Sequence, residues 1–379
     1  MTPPDDPRAR FIEAAIWHGP LQPAEALRAA HPEIAGADLH TAAILGDDAA
    51  VRRFLEAGPA AVHTTAPPYG GDALNYLCLS RYLRLDPSLT PAFLRAAAAL
   101  LDAGADPNTG VWKDGERETA LYGAAGVAHH PGMTRLLLER GADPNDVEAV
   151  YHSPETYDNR TMRLLVDTGR VTRENLSLML IRKHDWHDRD GVRYLLERGV
   201  DPNLPPTRGR RPLHHALARD NALEIIDLLL DRGADPGAAD GGFTAVARAA
   251  RLGRGDVLAS LERRGIPLGL TGLDALLAAC ARGDAEAVAA LSAREPHLIH
   301  QVRASGGELL ARFALTDNPA GLRRLLDLGV PVDAPFVEGD GYFGIPGGCL
   351  AIHVAAWMLR PAVVRVLLEA GSPADPPDP

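Results

Sequence analysis

The phrase "LLDAGADPN" at residues 100–108 returns as "LLLERGADPN" (136–145), "YLLERGVDPN" (194–203) and "LLLDRGADPG" (228–237). Weaker copies start at Phe54, Leu164, Leu261, Leu325 and Leu367. Each copy carries a glycine at the same place: Gly58, Gly104, Gly141, Gly169, Gly199, Gly233, Gly265, Gly329 and Gly371. "LLAACARGDAEAVAALSARE" (276–295) adds one more, with Glu295 in the glycine's place. The resulting period of about 33 residues belongs to arrays of small helical units. Leucines and alanines at i, i+3 and i+4 make each segment an amphipathic helix, and the glycine supplies the left-handed residue that ends it. Asp-Pro-Asn then begins a tight turn. A helix pair of this size cannot bury its own apolar face, so successive copies must stack.

A second phrase precedes several glycines: "ADLHTAA" (37–43), "ETALYGAA" (118–125), "RPLHHAL" (211–217) and "LAIHVAA" (350–356). Together the two phrases resemble the ankyrin repeat. The resemblance implies an all-α solenoid of stacked helix-turn-helix repeats with hairpin-like finger loops. It also implies recognition of a protein partner on the concave face, built from fingers and first helices. The expected organisation is an N-terminal pair of capping helices (1–36), an array of about ten repeats (37–376), irregular at 65–190 and 335–350, and a disordered tail (377–379). His40, His214 and His353 fill the histidine slot of the second phrase, where an imidazole hydrogen-bonds backbone in the adjoining turns. Trp17 and Trp357 lie in apolar helical patterns and are expected in the core.

A formal charge of -11 argues against nucleic acid or an anionic membrane as partner, since neither polyanion attracts an acidic surface. The tightest basic cluster, Arg208, Arg210 and Arg211, is read as a solvated loop tip. Cys78, Cys280 and Cys349 are far apart in apolar settings, which fits neither a disulfide framework nor a zinc motif and points to a reducing cytoplasm. The start lacks the regions of a signal peptide, and no apolar run is long enough for a membrane span. Lysine occurs only at Lys113 and Lys183, a bias of GC-rich genomes that suggests a bacterial source.

Information specific to this chain lies in its departures from the repeat. Residues 65–190 hold an insertion with Tyr69, Asn75 and Arg81, an enlarged finger with Trp112 and Lys113, and "VYHSPETYDNRT" in place of most of a first helix. Asn75 and Tyr122 replace the usual histidine. "KHDWHDRD" (183–190) concentrates polar groups. Counting back from each glycine aligns His129, Tyr157, His187 and Asn221, with His130, Asp158, Asp188 and Ala222 one place later.

The first reading of that column is capping: these positions open a second helix, whose N–H groups need acceptors, and Asn221 with Glu224 has capping-box spacing. Asp188 caps equally well, and Pro131 suits the first helical position after His130. A zinc site from His184 and His187 with Asp188, His129 or His130 is the second reading, but the spacing matches no established motif, and no metal or cofactor is assigned. A third reading takes His130, Asp158 and His187, with Glu155, as acid–base candidates, although no motif supplies a reaction class. The leading reading is a protein-interaction scaffold. Its expected binding residues are Tyr69, Trp112, Tyr122, His129, His130, Tyr157, Asp158, Trp186, His187 and Asp188, because aromatic anchors carry most interface energy. The alternative is a small-molecule or metal pocket built from the same residues. Near the C-terminus, "VEGDGYFGIPGGCLAIH" (337–353) lacks the lysine and strand of a phosphate loop and reads as a long hairpin.

Overall fold

Helix termination by glycine governs the chain. In the computed structural model, which describes residues 6–207 and 209–374, Gly104, Gly141, Gly169, Gly199, Gly233, Gly265, Gly329 and Gly371 take positive φ between 67° and 100°. Gly58 departs from the pattern. Its φ of -164° is extended, and the chain passes directly into the 3-10 turn Pro59–His63. Glu295, lacking a glycine's freedom, ends its helix at φ -132° and leads into an additional helix, His297–Ala304. Arg208 and the expected tail at 377–379 lie outside the described residues.

The chain forms two compact units, Met1–Gly191 and Val192–Pro379, with the boundary inside the helix Arg189–Glu197. In the first unit the helices Pro7–Ala15 and Gln22–Ala30 pack together. They are followed by the helix pairs Leu39–Leu45 with Asp48–Ala57 and Ala73–Cys78 with Thr90–Asp102. Next, Ala120–Tyr122 continues as a π-turn, Gly123–Val127, before Pro131–Glu139. The helix Val147–His152, only six residues long, precedes Arg160–Asp167 and Arg173–Asp185. The insertion after Cys78 forms the short helix Arg81–Leu85. Arg81 there donates to the carbonyls of Ile16 (2.8 Å) and Ala14 (2.5 Å), which ties the N-terminal helices to the array.

First helices stack on first helices because their facing residues are small. A Cβ on Gly123 would sit 2.7 Å from the Cys78 carbonyl, so this approach requires glycine. One hydrogen bond recurs across the stack: His40 Nε2 donates to the Thr64 carbonyl (2.9 Å) and His214 Nε2 to the Phe243 carbonyl (3.0 Å). Asn75, in the histidine slot, donates through Nδ2 to the Glu118 carbonyl (3.0 Å) and performs the same task. His353 departs from the expectation. Its Nδ1 accepts from Leu350 N (2.9 Å) in its own first turn, since no finger follows it among the described residues.

Among its described residues the second unit contains five helix pairs: Pro212–Ala218 with Leu223–Asp231, Ala245–Arg251 with Gly255–Arg263, Gly272–Ala281 with Ala285–Arg294, Gly306–Leu315 with Pro319–Asp327, and Ala351–Trp357 with Pro361–Glu369. Fingers are antiparallel hairpins: Trp112 pairs with Arg117 in the first unit, Asp240 with Phe243 in the second. The loop after Pro335 is a longer hairpin bridged at Phe336–Cys349 and Asp340–Ile345. Within this unit the turns between paired helices converge. Asn318 Nδ2 donates to the carbonyls of Gly253 and Ala281, both at 2.6 Å. A Cβ on Gly255 would lie 2.1 Å from the Ala281 carbonyl oxygen, so only glycine permits this crossing. Arg360, in the last pair, reaches Asp220 in the first at 3.2 Å. The stack therefore curls until its first and last repeats meet.

Every regular turn between paired helices contains one left-handed residue: Gly46, His129, His187, Asp220, Gly253, Gly283, Asp317 and Leu359, with φ from 45° to 75°. Leucine is the misfit. Its side chain is 84% exposed and offers no packing to offset the steric cost of this conformation. Leu359→Gly is expected to raise unfolding stability by about 1 kcal/mol, measured by urea titration; a loss of stability would show that the turn conformation is otherwise.

Candidate functional site

The stretch "KHDWHDRD" joins the end of one helix to the start of the next. Lys183 is fully buried, with Nζ 2.8 Å from Asp188 Oδ2 and 2.5 Å from the Thr156 carbonyl. Asn159 Nδ2 donates to the same carboxylate oxygen (2.8 Å), while Asp188 Oδ1 accepts from the backbone N–H groups of Asp190 (3.1 Å) and Gly191 (3.0 Å). Burial works to raise the Asp188 carboxyl, but hydrogen bonds from Lys183, Gly191 and Asn159 outweigh it and hold the group below the usual carboxylate range. Burial pulls the Lys183 ammonium down. A Cβ on Gly191 would meet Lys183 Cδ at 2.6 Å, so glycine makes room for the buried lysine. Asp188 thus caps a helix and neutralises a buried cation, leaving its oxygens engaged. His187 is the left-handed turn residue beside it. Among the described residues no group of three or more His, Cys, Asp or Glu is placed to hold a metal ion.

The other members of the aligned column serve the backbone as well. His130 Nδ1 accepts from Met133 N (3.0 Å) as the N-cap of Pro131–Glu139, and its Nε2 lies 3.2 Å from Thr90 Oγ1. Burial lowers the affinity of this imidazole for a proton. His129 occupies the left-handed position, and burial lowers it too. Asp158 grips the guanidinium of Arg160, 2.5 Å from Nη2, and that pairing holds the carboxyl below its usual range. His130 and Asp158 therefore each have a structural partner. The expected Asn221–Glu224 capping box does not form. The helix begins at Leu223 with Ala222 as its N-cap and no side-chain cap bond.

A different group gathers around Tyr122. This side chain is buried, with its ring 5.4 Å from that of His152. His152 bridges two carboxylates, Glu155 at 2.6 Å and Glu148 at 3.3 Å. Arg182 pairs with Glu155 and lies 4.1 Å over the ring of Tyr151. Burial raises the carboxyls of Glu118 and Glu148, with the Glu148 charge adding to the first shift and Glu116 and Asp146 to the second. Burial also raises the Tyr122 hydroxyl, reinforced by Glu118, Glu148 and Glu155. Burial works to raise Glu155, but His152 and Arg182 outweigh it and the net shift is downward.

Beside this group the finger Gly110–Thr119 carries Trp112, 71% exposed. Lys113 anchors the finger by lying 4.8 Å over the ring of Trp17, which Tyr69 meets edge-on at 4.4 Å. Burial and the nearby Glu13 carboxylate push the Tyr69 hydroxyl up to about 12. Tyr157, 68% exposed, meets Trp186 edge-on at 5.5 Å. The sequence reading missed Glu118, Glu148, His152 and Arg182. A signal was present: Glu148, His152 and Glu155 stand at i, i+4 and i+7, the spacing of one helix face. Trp357, expected in the core, is instead 67% exposed, and its indole donates to the Phe343 carbonyl (2.8 Å).

Paired helices, left-handed turns and hairpin fingers define a helical-repeat protein. Residues 160–268 match the family model described as "Ankyrin repeats (3 copies)", and this part of the chain is built of such repeats. It is similar to cyclin-dependent kinase 4 inhibitor B of Bos taurus, 42% identical over 78 residues, or 20% of this chain. The match spans 58% of that relative's length. Similar solved structures include the ankyrin repeat domain of human ASB11 (24% identity, TM-score 0.43, 55% of this chain and 89% of that one). The ankyrin repeat domain of Bcl-3, a member of the IkappaB family, is another (25%, 0.42, 54% and 89%). Among the described residues no helix is long and apolar enough to cross a membrane.

Removing the cation from the buried pair tests its role. Lys183→Met leaves Asp188 buried without its counter-charge and is expected to cost about 3–5 kcal/mol in urea unfolding at pH 7. The Asp188 contribution is present above the unfolded carboxyl value of about 3.9 and is lost as pH falls below it, because the folded group holds its proton less tightly. A loss under about 1 kcal/mol would contradict the structural assignment.

Proposed function

We propose that this protein is an interaction scaffold whose first unit binds a basic segment of a protein partner, with recognition centred on the irregular residues 65–190. The observation that carries this reading is the set of half-buried carboxylates Glu118, Glu148 and Glu155, with Trp112 exposed on the finger that also carries Glu118. An indole face and a set of partly desolvated carboxylates are complementary to guanidinium or ammonium groups, through cation–π attraction and charge-assisted hydrogen bonds. Tyr151 already holds the Arg182 guanidinium in this way, which shows the chemistry within the chain. Val147, Tyr151 and Tyr157 add exposed apolar surface in the same unit. The similarity to a cyclin-dependent kinase 4 inhibitor, whose name describes action on a protein, supports a protein partner. The three cysteines are buried and form no disulfide among the described residues, which supports the cytoplasm as its location.

Tyr69 and Tyr122 enter this reading as support for the finger and the carboxylates, and Trp186 as the backing of Tyr157. His129, His130, Asp158, His187 and Asp188 enter as scaffold for the turns. An arginine-rich peptide, followed by tryptophan fluorescence, tests the proposal. Trp112→Ala and the double change Glu118→Gln with Glu148→Gln are each expected to weaken binding about tenfold or more, and added salt to weaken it further. Equal affinity in wild type and both variants, or no binding by the wild type, counts against this site.

A further inference from the structure

The curl of the second unit encloses a cavity of about 590 Å³ on the side of its first helices and fingers. Five arginines line it: Arg210, Arg219, Arg248, Arg251 and Arg312. They come from the first helices of the first, second and fourth pairs of the unit or their ends, and from the loop before Pro212, so the curl of the stack brings them together. Only two carboxylates, Glu308 and Asp340, share the lining. Asp340 is spent on Arg312 at 2.5 Å, and Asp274, outside the lining, holds Arg251 at 2.6 Å. Aromatic rings close the mouth, with Arg219 lying 3.8 Å over Tyr342 and Arg251 lying 4.4 Å over Phe243.

Among the described residues, Arg210 and Arg248 have no carboxylate in hydrogen-bond or ion-pair contact. Arg210 is exposed to the cavity and makes no ion pair among the described residues. Arg248 has only the Asp240 backbone carbonyl, 3.3 Å from Nη2, and its Nε is buried without a partner. Burial, then the charges of Arg210 and Arg312, disfavour the Arg248 cation. Concentrating like charge in a concavity is unfavourable for the free protein. An incoming anion removes that cost, and guanidinium groups suit it because they form paired, planar hydrogen bonds to oxyanions.

We propose that this cavity binds a small multivalent oxyanion, a phosphate-bearing or polycarboxylate molecule held by Arg248 and Arg210 with Arg219 and Arg312 around it. Its volume is that of a small-molecule site. Enclosure favours a compact ligand over a peptide: Arg219 to Tyr342 and Asp220 to Arg360 join the first and last repeats of the unit, whereas a peptide needs a groove open at both ends.

Isothermal titration of the full chain at low salt, with pyrophosphate and separately with citrate, tests the proposal. One-to-one binding of at least one of them is expected. The affinity should fall about tenfold or more in Arg248→Gln, and also fall in Arg210→Gln, whose exposed side chain makes folding of that variant secure. Binding of pyrophosphate alone assigns phosphate chemistry, binding of citrate alone assigns carboxylate chemistry, and binding of both assigns a site that reads charge and size. Absence of binding to both, unchanged affinity in both variants, or binding of a hexaglutamate peptide with neither small anion would overturn it. None of these readouts uses the arginine-rich peptide or the first unit, so the two assignments fail separately.

Discussion

Stacking is the constraint on which the rest of the structure depends. Each helix pair has too little apolar surface facing itself to stand alone, so its stability is borrowed from its neighbours. The recurrent bond from a first-helix side chain to the next finger carbonyl makes that dependence directional: His40 to Thr64, Asn75 to Glu118 and His214 to Phe243. Finger position is therefore fixed by the preceding repeat. This is why a finger such as Gly110–Thr119 can hold a large exposed side chain like Trp112 in a defined place.

The same constraint explains why polar residues that stand out in the sequence turn out to serve the backbone. Turns between paired helices demand one left-handed residue and one N-cap, and His129 with His130, and His187 with Asp188, fill those two places in order. Where other repeats use Gly46 with Asp47 or Gly283 with Asp284, these repeats use histidine for the left-handed turn. Lys183 extends the logic inward. A buried ammonium is tolerable only with a partner, and Asp188 is both that partner and the cap.

Repeat phrases, the terminating glycines and the histidine slots were legible because each depends on short-range geometry: a left-handed φ, a helix face, a cap. Two kinds of feature were not. The Glu118, Glu148 and Glu155 carboxylates meet around Tyr122 only after two repeats have stacked, and the five arginines of the second unit meet only once its first, second and fourth repeats have curled together. Curvature is absent from a pattern that assumes equal steps. It arises here where Gly255 and Asn318 let successive turns approach closely and where His297–Ala304 adds a helix. Trp357 misleads for a related reason: its helix pattern is apolar, yet the face on which it lies remains 67% exposed.

Curling of the second unit is the central claim, since the arginine cavity exists only if the first and last of its repeats meet. Pulsed electron–electron resonance between spin labels at Ala222→Cys and Ala362→Cys reports on it directly, because both positions are exposed and the native cysteines are buried. The contact of Asp220 with Arg360 at 3.2 Å predicts a label distance at the short limit of the method. A straight stack would separate the first and fifth repeats by about 40 Å, at about 10 Å per packed helix, and a distance near that value would contradict the account.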